Sequence, residues 1–92
     1  MSHSSPSLAV ERRRLLWRAT HRGIKEMDLI VGGYAEAHLG TMSEVDLYQF
    51  AEILEIPDQL LLSWATRQEA VPELQRSKLL DEVLAFRPRL GS

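Results

Sequence analysis

Glycine and proline punctuate this chain so regularly that only short helices fit between them. Gly23, Gly40, Pro57, Pro72 and Pro88 interrupt five segments. Within those segments apolar residues recur at three-to-four spacing, the helical period. Nowhere do four or more residues alternate cleanly between apolar and polar, so no strand is expected. A first helix is expected from about Ser7 or Leu8 to Arg22, with Val10, Arg14, Trp17 and His21 on one stripe and Leu16 and Thr20 beside it. Gly23 is expected to end it in the left-handed conformation that glycine adopts without steric cost. A second helix, about Ile24 to Leu39, carries Met27, Ile30 or Val31, Tyr34 and Ala37 at helical spacing. Gly32 and Gly33 in its middle cost about 1 kcal/mol each against alanine, which implies a kink or a close approach by another backbone.

The third helix opens at Thr41-Met-Ser-Glu44, a capping-box pattern, with Ser43 as the alternative cap. Its apolar face holds Val45, Leu47, Tyr48, Phe50, Ala51 and Leu54, and Pro57 breaks it. Asp58 is placed to cap a short fourth helix with Leu61, Leu62, Trp64 and Ala65. Pro72, at a favoured first helical position, starts the fifth, with Leu74, Lys78, Leu79, Val83 and Phe86 on its inner side. The expectation is an all-α fold, a compact bundle of five short helices. Residues 1–7 are expected to be a mobile tail, 8–88 a single helical domain and 89–92 a C-terminal tail.

Ninety-two residues with 45% hydrophobic content suffice for one small core but not for a deep pocket around a large cofactor. With no cysteine there is no disulfide, thiolate nucleophile or Cys-ligated metal. The net charge of -2 hides an asymmetry. Residues 1–25 carry six basic side chains against Glu11, a net of +5. Residues 26–82 carry twelve acids against Arg67, Arg76 and Lys78, a net of -9. Such a split implies an anionic partner for the basic end, or two charged faces that answer each other. No apolar run approaches the ~20 residues of a membrane span, so no membrane insertion is expected. The opening Met-Ser-His-Ser-Ser-Pro-Ser lacks the apolar stretch of a secretory signal. With the following arginines read as part of the first helix, a bacterial cytoplasm is the expected location and a mitochondrial matrix the alternative.

Catalytic chemistry finds little support. His3, His21 and His38 belong to no HExxH, no Ser/His/Asp set and no Gly-rich phosphate loop, so no catalytic residue is assigned and the chain is read as a non-enzyme. His21 with Glu26 or Asp28 falls short of the three or four committed ligands of a structural metal site, so no metal is expected either. Arg12-Arg13-Arg14 with Trp17 and Arg18 forms a basic helix with an aromatic, but the helix after the glycine carries Glu26, Asp28 and Glu36. Phosphate would repel it, so no nucleic acid partner is expected. The most singular segment is Arg22-Gly23-Ile24-Lys25-Glu26-Met27-Asp28. A glycine cap followed by acids at a helix start explains it without function. A guanidinium and two carboxylates fixed around a glycine for a partner to read explains it equally well.

These residues resemble the FAD assembly factor family, called SdhE in bacteria and succinate dehydrogenase assembly factor 2 in mitochondria. That family's signature is Arg-Gly-x-x-Glu, often followed by x-Asp, and it stands here as Arg22, Gly23, Glu26 and Asp28. The basic, aromatic helix before it (Arg13, Arg14, Leu15, Leu16, Trp17), the segment Tyr34 to Leu39, and Leu54-Glu55-Ile56-Pro57-Asp58 followed by Leu61, Leu62 and Trp64 are also similar. The likeness covers about residues 12–66. It departs at His21, where the family often has arginine, at Gly32-Gly33, and after Trp64, where Ala65-Thr66-Arg67-Gln68 replaces a glycine-rich turn.

The resemblance implies a chaperone-like assembly factor that binds the flavoprotein subunit of succinate dehydrogenase, or that of fumarate reductase. It would promote covalent attachment of FAD to a histidine of that subunit while binding no cofactor stably itself. Separately from the resemblance, a monomer is expected. The resemblance implies that Arg22 contacts the flavoprotein, that Gly23 permits close backbone approach, that Glu26 and Asp28 accept hydrogen bonds or orient Arg22, and that Arg13, Arg14 and Trp17 extend the patch. Phe50, Leu54, Leu61 and Trp64 are assigned to the core. A small nucleic-acid-binding or regulatory adaptor using the basic first helix is the alternative.

Overall fold

A computed structural model describes residues 4–88; residues 1–3 and 89–92, where parts of the two tails are expected, lie outside the described residues. Five helices follow one another: α1 (Ser4–Thr20), α2 (Lys25–His38), α3 (Glu44–Leu54), α4 (Asp58–Ala65) and α5 (Lys78–Ala85). Two 3₁₀ turns, Leu39–Thr41 and Glu73–Gln75, complete the described secondary structure, and no strand occurs among the described residues. The architecture is the all-α bundle expected.

Helix α1 starts at Ser4, three or four residues before the expected Ser7 or Leu8. Pro6 does not oppose this, because an N–H in the first helical turn would have no carbonyl partner. The buried stripe of α1 is Leu15 and Ala19, while Val10, Arg14, Trp17 and His21 lie on the opposite, outer stripe. Leu15 and Ala19 join Met27, Val31 and Ala35 in the core, and α1 with α2 forms the most extensive helix pair. Gly32 makes that crossing possible. A Cβ there would stand 3.0 Å from the Ala19 carbonyl oxygen. Of the alternatives open from sequence, the close backbone approach holds. On α2 the buried alanine is Ala35, and Ala37 is exposed.

Ser43, not Thr41, caps α3: its Oγ accepts from the Asp46 N–H at 3.1 Å, and Thr41 closes the preceding 3₁₀ turn. Leu47, Phe50, Ile53 and Leu54 are buried, but Val45 and Tyr48 are 65% and 63% exposed. The apolar face of α3 is wider than its neighbours cover. Phe50, Leu54, Leu61 and Trp64 all sit in the core.

Helix α5 does not begin at Pro72. Ser77 caps it, accepting from the Leu80 N–H at 3.0 Å, and Pro72 instead precedes the 3₁₀ turn. Leu74 is therefore 99% exposed rather than inward, and Lys78 is exposed; Leu80 and Leu84 join Leu79 and Val83 in the core.

Arginines close several helix ends, where the last carbonyls lack intrahelical partners. Arg12 donates to Leu39 O beyond α2 at 2.6 Å. Arg87 donates to Leu84 O at the end of α5 and to Ala65 O at the end of α4, at 2.8 and 3.0 Å. The end of α4 also carries a strained residue. Arg67 takes φ 65°, in the left-handed region, while the Gln68 N–H reaches back to Ser63 O at 2.8 Å. This Schellman-type ending favours glycine at that position. Arg67→Gly is expected to stabilise the protein by about 1 kcal/mol, read as a higher denaturant midpoint with unchanged slope. A lower midpoint would mean that the Arg67 side chain contributes more than its backbone costs.

Candidate functional site

The turn between α1 and α2 is built around Arg22. Its guanidinium points into the protein, with the side chain only 8% exposed. Nε donates to Asp58 Oδ1 at 2.6 Å, one terminal nitrogen to Leu54 O at 3.0 Å and the other to Ile56 O at 3.1 Å. Leu54 ends α3, and Ile56 lies in the link to α4. One side chain of the α1–α2 turn thus closes the α3 terminus and clamps the α3–α4 junction. The Asp58 carboxylate is bidentate across the chain: Oδ2 accepts the Gly23 N–H at 2.8 Å. Asp28, one turn into α2, accepts the Arg22 N–H at 2.5 Å.

This geometry shows Arg22 engaged within the chain. Its guanidinium already serves three internal acceptors, so its place is beneath the turn, as the group that holds it. Asp28 orients Arg22, through the backbone N–H. Glu26 points outward, exposed, and forms no ion pair among the described residues. Asp58, expected as the cap of α4, makes no capping bond there. It was missed as a member of this cluster; a lone acid after Pro57 in an apolar stretch was the available signal.

Gly23 does not behave as a helix-ending glycine. Its φ lies outside the left-handed region, and a Cβ on it would meet only Asp58 Oδ2, at an ordinary 3.5 Å. The end of α1 is closed instead by Thr20, whose Oγ1 donates to Leu16 O at 2.9 Å, and by the His21 ring, whose Nδ1 lies 2.8 Å from Trp17 O. Gly23 is exposed, and nothing among the described residues requires a glycine there.

Around the turn lies the outer face of α1. Trp17 is 62% exposed and stacks on His21, with ring centroids 4.1 Å apart and planes at 10°. Arg13 and Arg14 are exposed; among the described residues Arg14 has a 3.9 Å contact to Glu11. The other basic groups of α1 turn elsewhere, Arg12 to Leu39 O and Arg18 to Glu55 at 2.5 Å. Arg13, Arg14, Trp17, Gly23 and Glu26 are exposed, whereas Arg22 and Asp28 support the turn from within.

No group of three or more His, Cys, Asp or Glu side chains that could hold a metal occurs among the described residues. His21 faces Trp17 O and Thr20 Oγ1, and Asp28 Oδ1 is occupied by Arg22, so these residues do not converge on a common point. Tyr34 is pushed up to about 12 by burial and by its hydrogen bond to Glu82 of α5, so its hydroxyl stays protonated at neutral pH. No described helix is long and apolar enough to cross a membrane.

The sequence model of a family described as flavinator of succinate dehydrogenase matches residues 13–87, which takes in the turn and all of α5. The chain is similar to the FAD assembly factor SdhE of Acetobacter pasteurianus, 40% identical over 74 residues, covering 80% of this chain and 68% of that protein. It is similar to the mitochondrial succinate dehydrogenase assembly factor 2 of Danio rerio, 30% identical over 82 residues, covering 87% of this chain and 52% of that protein. The corresponding Yarrowia lipolytica protein is 36% identical over 61 residues, 42% of its length. The chain thus spans about half of the mitochondrial relatives.

The internal clamp and the open glycine make opposite demands on stability. Arg22→Ala removes a buried cation, leaving two carbonyls unpaired and Asp58 without its counter-charge. It is expected to cost about 3 kcal/mol in chemical denaturation, at the low end for a broken buried pair because Asp58 keeps the Gly23 N–H. Gly23→Ala is expected within about 0.5 kcal/mol of the parent protein. Gly32→Ala, with a carbonyl 3.0 Å away, is expected to lose about 1–2 kcal/mol despite better helix propensity. Equal losses at Gly23 and Gly32 would show that the turn at Gly23 is packed from within.

Proposed function

The chain belongs to the succinate dehydrogenase flavinator family, and on that footing we propose that it is an assembly factor for a flavoprotein. It binds the flavoprotein subunit of succinate dehydrogenase and promotes covalent attachment of FAD to it. The flavoprotein subunit of fumarate reductase, whose chemistry is the same reaction reversed, is a second client of the same surface. The observation that carries the reading is Gly23: exposed, free of internal steric demand, yet held by a hydrogen bond to Asp58. A glycine that its own fold does not need, displayed on a firmly anchored turn, suits close approach by another backbone.

The chain supplies geometry rather than chemistry. The flavin and the histidine that receives it belong to the partner, and this protein holds no FAD of its own. Anchored by Arg22, Asp28 and Asp58, the turn offers Gly23 and Glu26 to the partner. Arg13, Arg14 and Trp17 extend the contact as a basic patch around an apolar ring, which an acidic rim on the flavoprotein would complement. Selective binding of one arrangement of the flavoprotein raises the population in which histidine and flavin are aligned. No residue here acts as a catalytic acid, base or nucleophile.

The same geometry weighs against the nucleic-acid adaptor. Arg12, Arg18 and Arg22 are engaged within the chain, which leaves Arg13 and Arg14 as the outward arginines of α1. Two outward arginines make a weak phosphate-binding helix.

Co-expression with an apo flavoprotein subunit, followed by denaturing electrophoresis and in-gel flavin fluorescence, tests the reading. The wild type is expected to bind and to raise covalent FAD. Gly23→Arg and Glu26→Ala are expected to keep the thermal midpoint within a few degrees, because both positions are exposed. Each should lower covalent FAD about tenfold or more. Folded variants with full flavinylation would remove the turn from the interface. Absence of binding to any flavoprotein subunit would overturn the function.

A further inference from the structure

The Asp58 carboxylate has an unusual placement for an acid at a helix start. An aspartate at the N-cap accepts an N–H of its own helix, but Asp58 stands one residue further on, with Pro57 at the N-cap of α4. Asp58 instead directs both oxygens to the α1–α2 turn, Oδ1 to Arg22 Nε at 2.6 Å and Oδ2 to the Gly23 N–H at 2.8 Å. Its side chain is 17% exposed, so water competes little for these bonds. The turn is also held by Asp28 Oδ1, which accepts the Arg22 N–H, and by the Arg22 bonds to Leu54 O and Ile56 O. Residues 21–24 belong to no helix, and the backbone bonds there begin with the Ile24 carbonyl, which accepts from Met27 and Asp28. Asp58 Oδ2 is also the atom nearest to the space a Cβ would fill at Gly23, so it forms the wall behind the open glycine.

We propose that Asp58 is a positioning residue for flavoprotein binding: by bridging the Arg22 guanidinium and the Gly23 N–H, it sets the conformation in which Gly23 and Glu26 meet the partner. The proposal rests on the function proposed above. Its physical content is preorganisation. A turn already fixed in its binding geometry loses less conformational freedom on association, and that difference appears in affinity. Arg22 alone cannot substitute, because its guanidinium has only donors and cannot accept the Gly23 N–H. Asparagine at 58 fails for the same reason. It keeps one acceptor but turns an NH₂ donor toward either Arg22 or Gly23, both donors themselves.

Two variants test this. Asp58→Asn removes half of the bridge while preserving volume. The double variant R22M/D58L removes the bridge and the buried charge together; replacing a buried ion pair by apolar groups is commonly tolerated, so it keeps the test open if the orphaned guanidinium of Asp58→Asn unfolds the chain. Three quantities are measured: amide exchange of Gly23 against that of Phe50 and Leu61 in the free protein, the dissociation constant for the apo flavoprotein subunit, and covalent FAD formed at saturating factor.

The expected result is faster exchange at Gly23 alone, a dissociation constant raised about tenfold or more, and covalent FAD restored at saturation. An unchanged dissociation constant with Gly23 freed would overturn the proposal, since the turn would then bind equally well unheld. Exchange accelerated equally at Phe50 and Leu61, with affinity falling in proportion to the unfolded fraction, would also overturn it, reducing Asp58 to a stabiliser of the bundle. Failure of the wild type itself to bind would overturn the functional reading and this proposal with it, and so is distinct from either result.

Discussion

A single buried guanidinium ties the two halves of this bundle together. Arg22 leaves the end of α1 and closes the end of α3 through the Leu54 and Ile56 carbonyls, while Asp58 neutralises it from the start of α4. A cation with only 8% of its side chain exposed is costly to bury unless charge and hydrogen bonds are both matched. Here one carboxylate and two carbonyls do so. Arg12 and Arg87 repeat the device at the ends of α2, α4 and α5. Short helices have a large share of unpaired terminal carbonyls, and arginine, with five donors in a planar fork, can reach several at once. The basic–acidic asymmetry along the sequence is in part this arrangement, one charged segment answering another within the fold.

What the clamp leaves outside is as informative as what it holds. The same turn that buries Arg22 exposes Gly23 and Glu26, and the helix that sends Arg12 and Arg18 to internal partners leaves Arg13, Arg14 and Trp17 facing solvent. Residues close together in sequence therefore divide into support and surface. A signature of alternating roles of this kind, Arg22 and Asp28 behind and Gly23 and Glu26 in front, gives a rigid turn with an accessible face. Rigid presentation suits a protein whose contribution is to favour one conformation of a partner.

The helix count and the buried Phe50, Leu54, Leu61 and Trp64 were legible because they depend on period, whereas at Gly32 the sequence left a kink and a close approach open and packing chose the approach. Helix boundaries were less legible. Ser77 prevailed over Pro72 as the start of α5, and Leu74 was left exposed as a result. Both are acceptable helix-starting residues, and the choice fell to where Leu79, Leu80 and Val83 could reach the core. Val45 and Tyr48 show a related limit: apolar periodicity marks a face that can be buried, and the number of neighbouring helices decides how much of it is.

The sequence by itself determined the all-α class, the position of the turn and the residue types available there, because punctuation, period and a short motif are local properties. Tertiary structure alone decided that Arg22 points inward, that Gly23 adopts no left-handed conformation, and that Asp58, 35 residues away, holds the turn rather than capping its own helix. The physical reason is that a charged side chain takes the partner that best offsets its desolvation. Which partner lies within reach is fixed only when α1 and the α3–α4 junction are packed together.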